Sequence, residues 1–302
     1  MSLATVSKRL ASVSVFKAIR ASAQRTGRVS TRALSTSTQE VSVERHTSND
    51  FGILTLSLNR PHAKNALSRS LVHSMRSALS DIRSDATVRA LVLRSSVPRV
   101  FCAGADLKER ALMTPPEVEQ FLYDMKRMFC ELEALPQPTI AALDGAALGG
   151  GLELSLCCDL RVAGQSALLG LPETSLAIIP GAGGTQRLAR LVGTSRTKAL
   201  VFTARKFGAE EALRMGVVTD MAEGAGEDAA YERAMVWARE ILPNGPVAVR
   251  MAKRAIDHAG SVDLATGLDI EQLCYAHVIP TQDRLEGLRA FKEKRKPNYT
   301  GH

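Results

Sequence analysis

Leu148-Gly149-Gly150-Gly151-Leu152-Glu153 decides how this chain is read. Three consecutive glycines stand directly before a helical pattern, and a carboxylate falls in the first turn of that helix. Glycine lets a ligand approach the backbone closely, and the first N–H groups of a helix are unpaired donors at the positive end of its dipole. Two such donors are what a developing oxyanion requires. The same spacing also fits a tight strand–helix packing turn with Glu153 as a dipole partner. The motif alone leaves both readings open.

Upstream, Phe101-Cys102-Ala103-Gly104-Ala105-Asp106-Leu107-Lys108 is a second small-residue loop after a strand. It is able to present backbone amides or simply to connect two elements. Downstream, Glu173 follows Pro172 at the end of the apolar run Leu168-Leu169-Gly170-Leu171. A carboxylate in such surroundings has a raised pKa suited to a general acid, although a capping or turn acid has the same pattern. Gly181-Ala182-Gly183-Gly184-Thr185-Gln186 fails G-x-G-x-x-G at its sixth position, and neither glycine cluster runs into Gly-Lys-Ser/Thr. There is no G-x-S-x-G, no metal-ligand spacing among the six histidines and no C-x-x-C. These patterns argue against a dehydrogenase, a kinase, an α/β-hydrolase and a zinc enzyme, and no metal site is expected.

Around these motifs the chain alternates strands and helices. Val41–Asn59 reads as a strand pair, and Ser68 caps a helix carrying Leu71, Met75, Leu79 and Ile82 on one face. Ala90–Arg94 is a buried strand followed by a loop over Ser95–Phe101. Thr114-Pro115-Pro116-Glu117 opens a long helix with the stripe Val118, Phe121, Leu122, Met125, Met128, Phe129 and Leu132. Thr139–Leu143 and Leu160–Ala163 are strands, Leu152–Cys158 and Thr185–Leu191 helices, and the segment before Leu171 a loop. From Tyr231 the pattern is helical, broken at Pro243-Asn244-Gly245-Pro246. The order implies an α/β domain over 41–240 and a helical region over 241–302.

Apolar residues make up 45% of the 302 and charged residues 23%, as in ordinary globular proteins. No apolar run approaches the ~20 residues of a membrane helix, so no helical membrane span is expected. Five cysteines, an odd number with one adjacent pair, suit a reducing compartment. The net charge of +8 comes mostly from one end. Residues 1–39 hold seven of the 39 cations and no acid, which leaves 32 cations against 31 acids in the rest. That leader is rich in Ser, Thr and Arg, and Leu3, Val6, Leu10 and Val13 recur at helical spacing. These are features of a mitochondrial transit peptide, so residues 1–40 are set aside as a leader and a matrix location is expected.

Taken together, Phe101–Lys108, Ala147–Ala163 and Ile178-Ile179-Pro180-Gly181-Ala182-Gly183-Gly184-Thr185-Gln186-Arg187-Leu188 strongly resemble the crotonase (enoyl-CoA hydratase/isomerase) superfamily. The resemblance covers essentially all of 41–302. It implies an α/β fold, a right-handed spiral of ββα repeats with a C-terminal helical trimerisation region, assembled as homotrimers or paired trimers (hexamers). It implies that the amides of Ala105 and Gly150 form an oxyanion hole for an acyl-CoA thioester, and that Glu153 activates water while Glu173 protonates C2. Acids at both positions suit a hydratase, since adding water needs one group to activate it and another to supply a proton. Ala103, Asp106, Leu107, Lys108, Gly149, Phe291 and Lys294 are the implied substrate and CoA contacts. No cofactor is expected, because coenzyme A is part of the substrate.

Ala103–Arg110, Gly149–Ala163 and the tail from Cys274 to Arg295 are most similar to the methylglutaconyl-CoA hydratases of the family. That implies hydration of 3-methylglutaconyl-CoA in leucine degradation, with a broad short-chain enoyl-CoA hydratase of fatty-acid oxidation as the alternative. A substrate with a distal carboxylate needs a cation in the pocket, for which Arg69 and Arg110 are candidates. A homologue in this branch binds AU-rich RNA through a lysine-rich helix corresponding to residues 65–85, which makes an RNA-binding protein the reading from a different class. Here the lysines are absent, Asp81 and Asp85 dilute the charge, and only Arg69, Arg76 and Arg83 recur every seven residues. Weak, non-specific RNA binding is the most that stripe implies.

Overall fold

The computed structural model describes residues 39–302, so the leader, apart from Gln39 and Glu40, lies outside the described residues. Glu40 already belongs to the fold: its carbonyl accepts from the Asn59 N–H and its carboxylate from Arg60 at 2.9 Å. In chain order the elements are β1 (Val41–Arg45), β2 (Ile53–Leu58), α1 (Arg69–Ser84), β3 (Ala90–Ser95), β4 (Val100–Cys102), α2 (Leu107–Arg110) and α3 (Pro115–Glu133). There follow β5 (Thr139–Leu143), β6 (Ala146–Leu148), α4 (Gly150–Ser155), β7 (Leu160–Ala163) and β8 (Leu168–Gly170). After a short 3-10 turn over Glu173–Leu176 come α5 (Gly184–Val192), α6 (Thr194–Phe202), β9 (Lys206–Gly208), α7 (Ala209–Met215) and β10 (Asp220–Met221). The chain closes with α8 (Ala229–Ile241), α9 (Pro246–His258), α10 (Leu264–Val278) and α11 (Gln282–Glu293).

The helix starts follow from their caps. Ser68 Oγ accepts the Leu71 N–H at the start of α1, and Thr114 with Glu117 forms a capping box ahead of Pro115 in α3. The strands repeat one rhythm: a strand in a large sheet, a three-residue strand in a small sheet, then a helical segment. Each turn lays its two strands beside those of the previous turn. The large sheet therefore has the order β1-β2-β3-β5-β7-β10 and the small one β4-β6-β8-β9. Among the described residues only the β1–β2 and β8–β9 pairs are antiparallel. This is the crotonase-type ββα spiral.

The large sheet is covered on both faces, which is why its strands read as nearly continuous apolar runs. Leu91, Leu93, Ala141 and Leu143 point into the main core with α1 and α3. Their alternates Ala90, Val92, Ile140 and Ala142 pack under α8, where Ala230, Ala234 and Ala238 form a small-residue stripe with Met235 beside them. Each fully buried Leu or Phe in such a core contributes roughly 1.5–3 kcal/mol.

Two local expectations are corrected. The loop readings over Ser95–Phe101 and before Leu171 each contain part of the small sheet, β4 and β8, and its third strand β6 falls between the strand Thr139–Leu143 and the glycine run, where none was expected. Three-residue strands are too short to show alternation. The helix expected from Leu152 begins at Gly150, because the glycines are themselves its first turn.

Candidate active site

The small sheet builds the site. Strands β4, β6 and β8 run parallel and adjacent, so the segments leaving their C-terminal ends emerge side by side. β4 leads to Gly104-Ala105, β6 to the α4 N-terminus with Gly150 and Glu153, and β8 to Pro172-Glu173. All of these residues line one cleft, with Arg110, Met125, Leu176, Ile178 and Ile179 completing its walls. Open parallel sheets characteristically bind ligands at this end of their strands.

Backbone geometry sets the two amides. Gly149 has φ +52° and a Cβ there would stand 3.0 Å from Glu173 Oε1, so only glycine serves at that turn. The loop after β4 is pinned by Leu67, whose N–H donates to Gly104 O at 2.7 Å and whose carbonyl accepts the Asp106 N–H at 3.0 Å. A Cβ on Gly150 would stand 3.7 Å from the Ala105 nitrogen, so the two amides are near neighbours. Among the described residues neither the Ala105 nor the Gly150 N–H has an acceptor. Two unengaged donors at the wall of a cleft form a receptor for a negatively charged oxygen.

The two carboxylates sit in unlike surroundings. Glu153 is 2% exposed, and its Oε1 accepts the Ala182 N–H at 2.9 Å and the Gly184 N–H at 2.7 Å. Burial pushes its pKa up, while those two amides and the Arg187 guanidinium act in the opposite direction. Among the described residues Glu173 has no pair of donors of this kind, and its buried Oε2 is without a partner. Burial, with the nearby Glu153 charge adding to it, pushes Glu173 up from 4.5 to about 7. Environments that separate a pair of acids in this way assign roles. Glu153 is raised by burial with two amides and a cation opposing the shift, whereas Glu173, without those amides, reaches about 7.

The structure gathers Glu153, Glu173, Ala105, Gly150, Ala103, Leu107, Gly149 and Arg110 at the cleft. Asp106 instead caps α2, accepting from the Lys108 and Glu109 amides, and pairs with Arg60 at 2.8 Å. Lys108 is exposed on α2 and is not among the lining residues. Phe291, 87% exposed, and Lys294 stand at the end of α11 and do not line the cleft of their own chain. Arg69 lies in a separate groove between α1 and α3 and pairs with Glu117 at 3.2 Å. Unlike Arg110, it is not among the residues that line the carboxylates' cleft. Arg76 is tied to Glu131 by two bonds of 2.9 and 3.0 Å, and Arg83 donates to the Glu131 carbonyl, so acids and carbonyls of α3 occupy the arginine stripe of α1. The sequence reading missed the Ala182 and Gly184 amides as the holders of Glu153. Their signal was the glycine cluster itself, which a search for phosphate-binding patterns does not interpret.

Such a cleft, at the strand ends of a ββα spiral with two amides facing two acids, defines an acyl-thioester enzyme of the crotonase kind. The enoyl-CoA hydratase/isomerase family model matches residues 48–302. The chain belongs to that family and is an enzyme of the enoyl-CoA hydratase type. It is 54% identical over 251 residues to human "Methylglutaconyl-CoA hydratase, mitochondrial", covering 83% of this chain and 74% of that one. It is 52% identical over 262 residues to "Probable enoyl-CoA hydratase 2, mitochondrial" of Arabidopsis thaliana, covering 87% and 86%. The crystal structure of an enoyl-CoA hydratase from Bacillus anthracis superposes with a TM-score of 0.83 at 47% identity, over 87% of this chain and all of that one.

Proposed function

We propose that the protein is a mitochondrial-matrix hydratase that adds water across the C2=C3 bond of 3-methylglutaconyl-CoA, giving 3-hydroxy-3-methylglutaryl-CoA as in leucine degradation. One observation carries the hydratase reading: two carboxylates, one bound by two backbone amides and the other with a buried oxygen free of any partner, share a cleft with two unengaged amides. In the reaction, the Ala105 and Gly150 amides take the thioester oxygen and stabilise the enolate charge that develops on it. Glu153 removes a proton from water as the water oxygen bonds to C3. Glu173 delivers its proton to C2, which leaves Glu153 protonated and Glu173 ionised, and solvent exchange resets the pair. No cofactor takes part beyond the CoA carried by the substrate.

Arg110 supports the finer substrate reading. It is the single cation among the cleft's lining residues, and no carboxylate of the described residues lies within 4.0 Å of its guanidinium. A distal substrate carboxylate would satisfy it. The name of the Arabidopsis relative and the apolar rim of Leu107, Leu176 and Ile179 suit the broader short-chain reading. Comparing kcat/KM for methylglutaconyl-CoA and crotonyl-CoA separates the two. The wild type is expected to prefer methylglutaconyl-CoA. Arg110→Met should lower that kcat/KM about 10- to 100-fold, the range of a hydrogen bond to a charged group, and leave crotonyl-CoA nearly untouched. A wild-type preference for crotonyl-CoA would establish the broader reading instead.

Exposed Leu264, Leu268, Leu273, Tyr275, Leu288 and Phe291 on α10 and α11 support assembly as trimers or paired trimers. A matrix address in residues 1–40 accords with the mitochondrial names of the two relatives. With the α1 arginines engaged by α3, RNA binding is expected to be weak and non-specific at most.

A further inference from the structure

The loop that holds Glu153 is itself held, by a side chain outside the cleft. Arg187, in the first turns of α5, donates Nη1 to the Ala182 carbonyl at 3.0 Å. Its Nε and Nη2 meet Glu133 Oε1 and Oε2 of α3 at 2.8 and 2.7 Å, a bidentate pair. The guanidinium lies directly over Gly183, whose φ is +115°, and any side chain at Gly183 would collide with Nη1. The Arg187 side chain is 16% exposed and so packed against the loop, while its partner Glu133, 48% exposed, stands at the surface. Ala182, Gly183 and Gly184 are thus clamped between Glu153 Oε1 on one side and Arg187 on the other.

We propose that Arg187, anchored by Glu133, is a positioning residue that keeps the Ala182–Gly184 loop in the shape that presents both amides to Glu153, and so sets the aim and the ionisation of that carboxylate. The inference rests on the reading of Glu153 as the group that activates water. The charged groups around Glu153 are few. Glu173 and Arg110 face it from the cleft, Arg187 stands behind the loop with Glu133 beyond, and the buried Cys157 thiol, its pKa driven far up, is neutral. Removing Arg187 therefore removes both the clamp and the cation that favours the ionised form.

The test is the pH dependence of crotonyl-CoA hydration by the wild type and by Arg187→Met, Arg187→Lys and Glu133→Gln. Arg187→Met is expected to lower kcat about 10- to 100-fold, as for a displaced catalytic group, with KM nearly unchanged. The acidic limb of its kcat profile should move to higher pH by on the order of one unit. Arg187→Lys, which keeps the charge but not the bidentate fork, should restore the limb more fully than the rate. Glu133→Gln should show the same direction of change at smaller size. If Arg187→Met does not fold, the limb and rate of the other two variants decide. Wild-type kcat and an unmoved limb in the folded variants would overturn the proposal. A wild type that hydrates no enoyl-CoA would overturn the underlying reading of Glu153 instead.

Discussion

Glu153→Gln should lower kcat for hydration by at least ~10²-fold while leaving the protein folded. The side chain keeps its shape, and its amide oxygen can still accept from Ala182 and Gly184, so the loop contacts survive. What disappears is the carboxylate oxygen that the proposed mechanism uses as the base toward water. KM should change little, because the thioester is gripped by the Ala105 and Gly150 amides rather than by this carboxylate. Thermal unfolding establishes that the variant is folded, and steady-state hydration of crotonyl-CoA measures the loss. Near-wild-type hydration would remove Glu153 from the chemistry.

Gly151→Ala should be as damaging, although Gly151 touches no reacting atom. A Cβ at this position falls inside contact distance of the Cys102 carbonyl, with the Cys102 Cβ 2.9 Å away. Both groups lie on backbone that cannot swing aside, since β4 is paired with β6 and α4 is buried along its whole length. Either α4 or the end of β4 must move, and these two segments carry Gly150 and Ala105. A displacement of about 1 Å in such a site costs on the order of 10²-fold in rate. Overpacking of this kind also lowers stability by roughly 1–3 kcal/mol. Gly208→Ala is the comparison, because there the nearest atom is 4.0 Å away. Denaturant midpoints and kcat for the two variants check the argument. Full activity in Gly151→Ala would show that the separation of the two amides is not set by this contact.

The large sheet and the long helices were legible because they obey simple periods. Leu71, Met75, Leu79 and Ile82 of α1 and the two-sided apolar strands β3 and β5 repeat as burial demands. The small sheet was not legible, and it is the element that positions the site. β4, β6 and β8 are three residues each, and their composition, Val-Phe-Cys, Ala-Ala-Leu and Leu-Leu-Gly, carries no alternation. Glu153 and Glu173 could be singled out from their local surroundings, one beside glycines at a helix start and one after an apolar run. That they face one another depends on parallel pairing across β6 and β8, which no spacing along the chain reveals. Asp106 illustrates the converse. Its place in the motif suggested substrate contact, yet it caps α2 and meets Arg60, 46 residues away.

The account centres on one cleft holding one ionised and one protonated carboxylate against an enoyl thioester. The measurement that tests this most directly is kcat/KM for hydration across the pH range, since it reports the ionisation of the free enzyme's acid and base. Glu173, raised to about 7, must carry its proton to supply C2, and Glu153 must have lost its own to activate water. Hydration should therefore fall as pH rises through about 7, approaching tenfold per unit, and fall again at the acidic end as Glu153 is protonated. A flat profile through neutrality and above, or hydration unaffected by protonation of both groups, would contradict the assignment.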